Sequence, residues 1–230
     1  MKKIEIKEFG GPEVLEIKNV DIGKPGQNEV LVKNLSIGIN YIDTYHRSGL
    51  YPIPLPSGIG LEACSIIEEV GSEVKLFKVG DRVTRASMPI GTYSEKQIIP
   101  EDKLVKVPDN ISDEVASCIT LKGITAEYLL HRTYQVKKGD KILYHAAAGA
   151  LGQIFCPWAN ALGAEIIGTV GSDEKIEIAK KNGCHHVINY NEKNFVEEVE
   201  KIVGKNGLDV VYDGVGLSLI HISEPTRPSS

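Results

Sequence analysis

A glycine-rich turn lies between an apolar run and a helical segment in the second half of this 230-residue chain. Residues 142–144 are apolar and typical of a buried strand, and the pattern Ala147-x-Gly149-x-x-Gly152 follows them. Glycine has no Cβ, so the backbone of such a turn can approach a phosphate, and a helix that starts there offers N–H groups and a positive dipole. The motif therefore predicts a pyrophosphate-binding turn and a dinucleotide cofactor of the nicotinamide type.

The residues around this turn strengthen the interpretation. Alone the motif is weak, because Ala147 stands where the first glycine is usual and small-residue turns precede helices in many α/β proteins. Three further apolar strands and a helix follow with β-α-β-α-β spacing: strands at 166–170, 187–189 and 208–212, and a helix at 174–181. This order predicts a parallel, doubly wound sheet, and it favours a nucleotide-binding turn over a purely structural one.

The residues after the second strand of this unit indicate which dinucleotide is bound. An Asp or Glu there would bind the ribose 2′-hydroxyl of NAD, but Val170 is followed by Gly171 and Ser172. The site is thus open to a 2′-phosphate. Asp173 and Glu174 would repel that phosphate if they faced it, and as the first residues of a helix they are expected to interact with its dipole instead.

The overall composition is that of a soluble globular protein, with 42% hydrophobic and 25% charged residues and a net charge of -5. No Lys/Arg run favours nucleic acid, and polar residues interrupt the apolar stretch at 142–168, so neither nucleic-acid nor membrane binding is expected. Four isolated cysteines suit a reducing compartment. The N-terminus leads into an alternating strand instead of a secretory signal. We expect a cytoplasmic protein that acts on a small soluble substrate.

The first half of the chain has a different pattern, in which glycine- and proline-rich turns separate short runs typical of β-strands. Such spacing predicts a small β-barrel. The runs are residues 3–7, 14–20, 29–37, 63–70, 82–84, 92–98 and 104–107. Two helices are expected next, one capped by Ser112 or Asp113 and one at 125–134. We place the boundary near Leu121, giving a first domain at 1–120 and a nucleotide-binding domain at 121–216.

Six segments in this order are typical of one known family: residues 11–15, 38–43, 48–51, 121–126, 145–152 and 211–213. On these segments residues 1–216 resemble the zinc-independent quinone oxidoreductases (zeta-crystallin type) of the medium-chain dehydrogenase/reductase superfamily. The resemblance implies an α/β protein with a GroES-like β-barrel domain followed by a Rossmann domain. It further implies that NADPH reduces a quinone or a similar electrophilic carbonyl compound.

The resemblance also assigns cofactor-binding residues. Gly149, Ala150, Leu151 and Gly152 would hold the pyrophosphate, with Ala150 and Leu151 narrowing a turn where the family more often has glycine and valine. Thr125 would bind the carboxamide or ribose, or else its own turn. The 2′-phosphate residues implied by the family are Gly171, Ser172, Lys175 and Tyr190.

Asn40, Tyr45 and Tyr51 are assigned by the resemblance to the nicotinamide and substrate end. Asn40 would donate a hydrogen bond to the carboxamide or to the oxygen that gains charge. The two tyrosines would wall a flat aromatic slot, with simple packing as the alternative role.

No metal is expected. Zinc-dependent relatives place a cysteine and a His-Glu pair at positions that correspond here to Asn40 and Leu61-Glu62. One carboxylate does not suffice for catalytic zinc, which takes about three protein ligands. Hydride transfer would then rely on positioning and hydrogen bonding. Two other functions remain open, namely an NADPH-dependent enone or enoyl reductase and a noncatalytic, crystallin-like NADPH-binding protein.

The last residues differ from the family. Residues 217–227 resemble a translated sequencing-library adapter, so 217–230 are interpreted as a non-native tail. About a third of the family's length would then be missing. We accordingly expect weak NADPH binding, little turnover, an exposed edge at strand 208–212, and loss of the family's homodimer contact.

Overall fold

The computed structural model describes residues 1–205, 207–214 and 216, and the chain divides into two units, Met1–Leu121 and the residues from Lys122 onward. The interpretation of residues 217–230 as a tail lies outside the described residues. The limits predicted for the two domains, 1–120 and 121–216, stay a prediction.

Two antiparallel sheets form the first unit. Five strands pair in the order β7-β3-β5-β6-β8, and three pair in the order β2-β1-β4. The strands are β1 (Lys2–Ile6), β2 (Glu16–Asn19), β3 (Glu29–Gly38), β4 (Ser57–Gly58), β5 (Glu62–Val70), β6 (Arg82–Ala86), β7 (Lys96–Pro100) and β8 (Val105–Lys106). Side chains of the central strands, including Val30, Val32 and Ile67, form the buried core of the larger sheet.

A helix in this unit was missed by the sequence interpretation, which placed only strands and turns before Ser112. Helix α1 (Tyr41–Ser48) follows β3 directly. The backbone N–H of Asn40 donates to Asp43 Oδ2 at 2.9 Å, which ties the residue before the helix to its first turn. Gly49 ends the helix with a φ of 80°, a left-handed conformation that glycine adopts without a Cβ penalty.

The helical region after β8 also differs from its prediction. One continuous helix, α2 (Asp113–Tyr128), replaces the two expected helices, and a π-helical turn at Leu129–Thr133 follows it. Gly123 lies inside this helix, where glycine costs only about 1 kcal/mol, which packing readily offsets. Thr125 therefore lies inside α2 and does not begin a helix.

The second unit is a parallel sheet with helices between its strands. Its order is β11-β10-β9-β12, the first four positions of the doubly wound arrangement predicted from the sequence. The strands are β9 (Lys141–Tyr144), β10 (Glu165–Val170), β11 (His186–Asn189) and β12 (Val210–Tyr212), and the helices are α3 (Gly152–Ala161), α4 (Glu174–Lys181) and α5 (Phe195–Val203).

The sheet buries both of its faces. Ile142 and Ile166 belong to one core cluster, which also contains Phe155 of α3. Their chain neighbours Leu143 and Ile167 belong to a second cluster with Phe195 of α5. Alternate residues of a strand point to opposite faces, so a strand buried on both sides is a continuous apolar run. This is why these strands could be recognised from the sequence.

Candidate functional site

The glycine-rich turn lies at the C-terminal end of β9 and closes tightly against itself. A Cβ on Gly152 would stand 2.4 Å from the carbonyl oxygen of Ala147, so only glycine fits where α3 begins. Ala146 has a φ of 57°, and its carbonyl accepts from the N–H of Gly149 at 2.8 Å. Gly149 and Ala150 are exposed, while Leu151 is half-buried. The start of α3 thus lies at the sheet edge where nucleotide phosphates bind in open α/β folds.

His145 is buried at the start of this turn, and the sequence did not indicate its contacts. The ring is 2% exposed, and Nδ1 lies 2.8 Å from Thr169 Oγ1 on the neighbouring strand β10. It also meets the ring of Phe195 edge-on, with the centroids 5.1 Å apart. Burial lowers the pKa of His145, so the neutral imidazole is favoured beneath the turn.

The loop after β10 brings together the residues that the family resemblance assigned to a 2′-phosphate. Tyr190 packs over this loop, since a Cβ on Gly171 would lie 2.6 Å from its hydroxyl oxygen. Ser172 and Lys175 form the turn that opens α4, with the Lys175 N–H 3.1 Å from the Ser172 carbonyl oxygen. Tyr190 and Lys175 are exposed at the surface. Ser172 and Tyr190, which carry hydroxyls, and Lys175, which carries an ammonium, thus belong to or flank this loop near a helix N-terminus.

A separate group of residues surrounds Asn40 at the edge of the first unit's larger sheet. Asn40 is 8% exposed, and its Nδ2 donates to Glu62 Oε2 at 2.9 Å. Glu62 is fully buried, and its Oε1 accepts from the backbone N–H of Leu121 at 2.8 Å. The sequence analysis considered Glu62 only as a possible zinc ligand. The structure shows instead that it fixes the orientation of the Asn40 amide.

Asp43 forms a second buried anchor at the same edge. It is 4% exposed, and its Oδ2 accepts from the Asn40 N–H and from the Tyr93 hydroxyl, each at 2.9 Å. Burial raises the pKa of the Asp43 carboxyl, while these two hydrogen bonds oppose the shift. Burial beside Asp43 likewise raises the pKa of the Tyr93 phenol.

Tyr45 and Tyr51, which were predicted to wall an aromatic slot, contact each other edge to face. Their ring centroids lie 5.3 Å apart at 64°, and Tyr41 adds a third ring 5.3 Å from Tyr45. Tyr41 and Tyr51 are 77% and 51% exposed, so the tyrosine cluster (Tyr41, Tyr45 and Tyr51) presents an aromatic surface to solvent. Edge-to-face geometry of this kind is favourable for aromatic pairs.

Among residues 1–205, 207–214 and 216, no group of three or more His, Cys, Asp or Glu side chains could hold a metal ion. Within the same ranges, no helix has the length and apolar character needed to cross a bilayer.

Known proteins match both units. The pattern of the alcohol dehydrogenase GroES-like domain matches residues 26–109, and that of the zinc-binding dehydrogenase matches residues 150–221. A quinone oxidoreductase of Pseudomonas aeruginosa is 49% identical over 94% of this chain and 66% of its own length. A 2-haloacrylate reductase of a Burkholderia species is 48% identical over 92% of this chain and 65% of its own length. The chain spans about two thirds of the length of these relatives.

Solved structures agree with this match. The Escherichia coli quinone oxidoreductase complexed with NADPH has a TM-score of 0.94 at 48% identity, covering 97% of this chain and 69% of its own. The Pseudomonas syringae pv. tomato quinone oxidoreductase has a TM-score of 0.93 at 50% identity, covering 96% and 69%. A GroES-like unit followed by a Rossmann-type unit defines the medium-chain dehydrogenase/reductase superfamily. The chain belongs to the quinone oxidoreductase family of that superfamily, and the predicted family and fold class are confirmed.

The close approach of β3 to α2 yields a stability prediction. A Cβ on Gly38 would lie 1.9 Å from the Ser117 carbonyl oxygen and 3.0 Å from Glu62 Oε2. Gly38→Ala should therefore lower the free energy of unfolding by about 1–3 kcal/mol through overpacking, measured by urea denaturation. Gly123→Ala is the control, because a Cβ there meets no atom within 4 Å and helix propensity favours alanine by about 1 kcal/mol. Equal effects at the two glycines would contradict the crowding at Gly38.

The raised pKa of Asp43 predicts a pH dependence of stability. Folding disfavours the charged carboxylate, so the contribution of Asp43 is greatest below its unfolded pKa of about 3.9 and declines as the pH rises through the higher folded value. The free energy of unfolding of the protein, relative to Asp43→Asn, should thus fall as the pH is raised from about 4. Urea titrations of the protein and of Asp43→Asn at a series of pH values measure the difference in the free energy of unfolding. The same titrations in a His46→Gln background remove the neighbouring imidazole. A pH-independent difference would show that Asp43 ionises normally.

Proposed function

We propose that the protein binds NADPH and reduces a quinone or a similarly electrophilic carbonyl compound without zinc. The observation that carries the proposal is that neither of the two residues directly after β10, Gly171 and Ser172, is acidic. Tyr190 packs over the backbone there. This loop lies at the same edge of the parallel sheet as the glycine turn after β9. The 48% identical Escherichia coli structure, which is complexed with NADPH, supports the cofactor assignment.

The residues of this loop suit a phosphate chemically. The Ser172 and Tyr190 hydroxyls and the Lys175 ammonium are hydrogen-bond donors, and charge-assisted bonds to phosphate are stronger than neutral ones. Backbone N–H groups of Gly149, Ala150, Leu151 and Gly152 would hold the pyrophosphate, and Thr125 the carboxamide or ribose. Bound NADPH would supply the hydride.

The edge of the first unit around Asn40 is proposed to receive the acceptor. Glu62 holds the Asn40 amide in one orientation at 2.9 Å, so any hydrogen bond from Asn40 to the carboxamide or to the acceptor oxygen would come from a preorganised group. Tyr45 and Tyr51 offer ring surfaces against which a flat quinone could pack.

The zinc-free part of the proposal is supported by the donor set in this region. Asn40 and Leu61 occupy the positions of a cysteine and a histidine ligand, and both Glu62 carboxylate oxygens already accept hydrogen bonds from N–H groups. Thiolate and imidazole, the usual zinc ligands, are thus replaced by groups that bind zinc poorly.

A second candidate function is reduction of an α,β-unsaturated carbonyl compound, favoured by the 48% identity to a 2-haloacrylate reductase. The two functions are separated by following the loss of NADPH absorbance with a series of quinones and a series of enones and acrylates. We expect the low turnover of this chain to be faster with quinones than with enones or acrylates, and to be unchanged after chelation and removal of zinc. Turnover of acrylates alone would favour the second function, and zinc-dependent activity would contradict the metal-free proposal.

Lys175 provides the sharpest test of cofactor choice. Lys175→Ala should weaken NADPH binding by about tenfold or more without altering NADH binding, since a charge-assisted hydrogen bond contributes roughly 1.5–3 kcal/mol. Isothermal titration calorimetry gives both dissociation constants. Lys180→Ala is a matched control on the same helix, because the Lys180 ammonium pairs with Glu177 at 3.0 Å. An unchanged ratio of NADPH to NADH affinity in Lys175→Ala would refute the assignment.

A further inference from the structure

We propose that Asn189 determines cofactor specificity by restraining the Asp173 carboxylate beside the N-terminus of α4, which leaves that terminus to the 2′-phosphate of NADPH. This inference rests on the proposed function above and adds a residue to it. Asn189 is the last residue of β11 and is 6% exposed, so its amide is held within the protein.

Asp173 presents the difficulty that Asn189 resolves. It immediately precedes α4, and its φ of -64° and ψ of -36° are already helical, so it does not have the extended conformation of a capping residue. Asp173 is exposed next to Ser172, at the anion-favouring end of the helix. The sequence predicted that Asp173 interacts with the dipole of this helix.

The structure shows which residue holds the Asp173 side chain. Oδ1 accepts from Asn189 Nδ2 at 2.9 Å, while the N–H groups of Lys175 and Ile176 donate to the backbone carbonyl oxygens of Ser172 and Asp173. A side chain on the adjacent strand therefore restrains the carboxylate and satisfies one of its oxygens.

The orientation of the Asn189 amide is fixed by its other contact. Asn189 Oδ1 accepts from the backbone N–H of Asn191 at 3.1 Å, so the amide oxygen cannot be exchanged with the nitrogen without losing both hydrogen bonds. Asn191 in turn donates from Nδ2 to the Gly171 carbonyl oxygen at 2.7 Å. The two asparagines thus join the loop after β11, which carries Tyr190, to the loop after β10.

Electrostatics explains why this restraint favours the phosphorylated cofactor. A carboxylate released to the helix N-terminus would repel a 2′-phosphate but would leave an unphosphorylated ribose hydroxyl with a usable hydrogen-bond acceptor. Repulsion between exposed charges a few ångströms apart corresponds to roughly a three- to tenfold change in affinity at low salt, and screening weakens it as salt is added.

The test measures NADP⁺ and NAD⁺ binding by calorimetry, because these cofactors differ only in the 2′-phosphate and no turnover is needed. Asn189→Leu should lower the preference for NADP⁺ over NAD⁺ by roughly three- to tenfold at low salt and by less at high salt. Adding Asp173→Asn to this variant should restore the preference to that of Asp173→Asn alone. Glu174 is a neighbouring exposed carboxylate and provides the control. Glu174→Gln should change NADP⁺ binding equally in the wild-type and Asn189→Leu backgrounds.

Several results would overturn the inference. If Asn189 has only a structural role, Asn189→Leu would weaken the binding of NADP⁺ and NAD⁺ alike. The same loss of binding would then occur in the Asp173→Asn background. If Asn189→Leu does not fold, Asp173→Glu leaves the buried amide intact and moves the carboxylate beyond its present contact; an unchanged preference there contradicts the inference. If the wild-type protein prefers NADP⁺ and the variants do not alter this preference, only the role of Asn189 is refuted. Wild-type protein without that preference refutes the proposed function as well.

Discussion

The close contact of the glycine turn with β10 is the constraint on which the proposed nucleotide-binding edge depends. The N–H of Ala147 donates to the Thr169 carbonyl oxygen at 3.0 Å, and a Cβ on Gly168 would lie 2.7 Å from the Ala147 Cβ and 2.9 Å from Cys184 Sγ. A glycine in the middle of β10 therefore lets the turn fold back onto the sheet. Since β9 and β10 pair in parallel with Gly168 opposite Tyr144, the turn after one strand and the loop after the other lie at the same edge.

The edge around Asn40 follows a different principle, in which buried carboxylates hold neutral donors in place. A buried polar group is costly unless it is hydrogen-bonded. Both oxygens of Glu62 and Oδ2 of Asp43 meet this condition by accepting from Asn40, Leu121 and Tyr93. The cost of burying these carboxyl groups is thus linked to a fixed geometry for the residues proposed to meet the acceptor.

Features that are local in the sequence could be predicted, and contacts between distant residues could not. The parallel strands are continuous apolar runs, and the two proposed phosphate-binding loops directly follow them. The bonds of Asn40 to Glu62 and of Tyr93 to Asp43 join residues 22 and 50 positions apart, and no local pattern indicates them. Helix α1 had an available signal, an asparagine three residues before an aspartate, but its eight residues lack a clear apolar stripe.

Helix α5 shows that even a good local signal can be passed over. Asn194 accepts from the Val196 N–H at 3.1 Å, and Phe195 and Val199 are buried one turn apart. The division of α2 into two helices was wrong, because the helix continues through Gly123, whose cost inside a helix is only about 1 kcal/mol.

The most direct test of the central claim is hydrogen–deuterium exchange of the protein with and without NADPH, read by mass spectrometry. The account predicts slower exchange in peptides that contain the turn at residues 145–152 and the loop at residues 171–176, with little change in the strands of the first unit's sheet away from Asn40. Protection absent from both loops, or confined to another part of the chain, would contradict the placement of the cofactor at this edge of the parallel sheet.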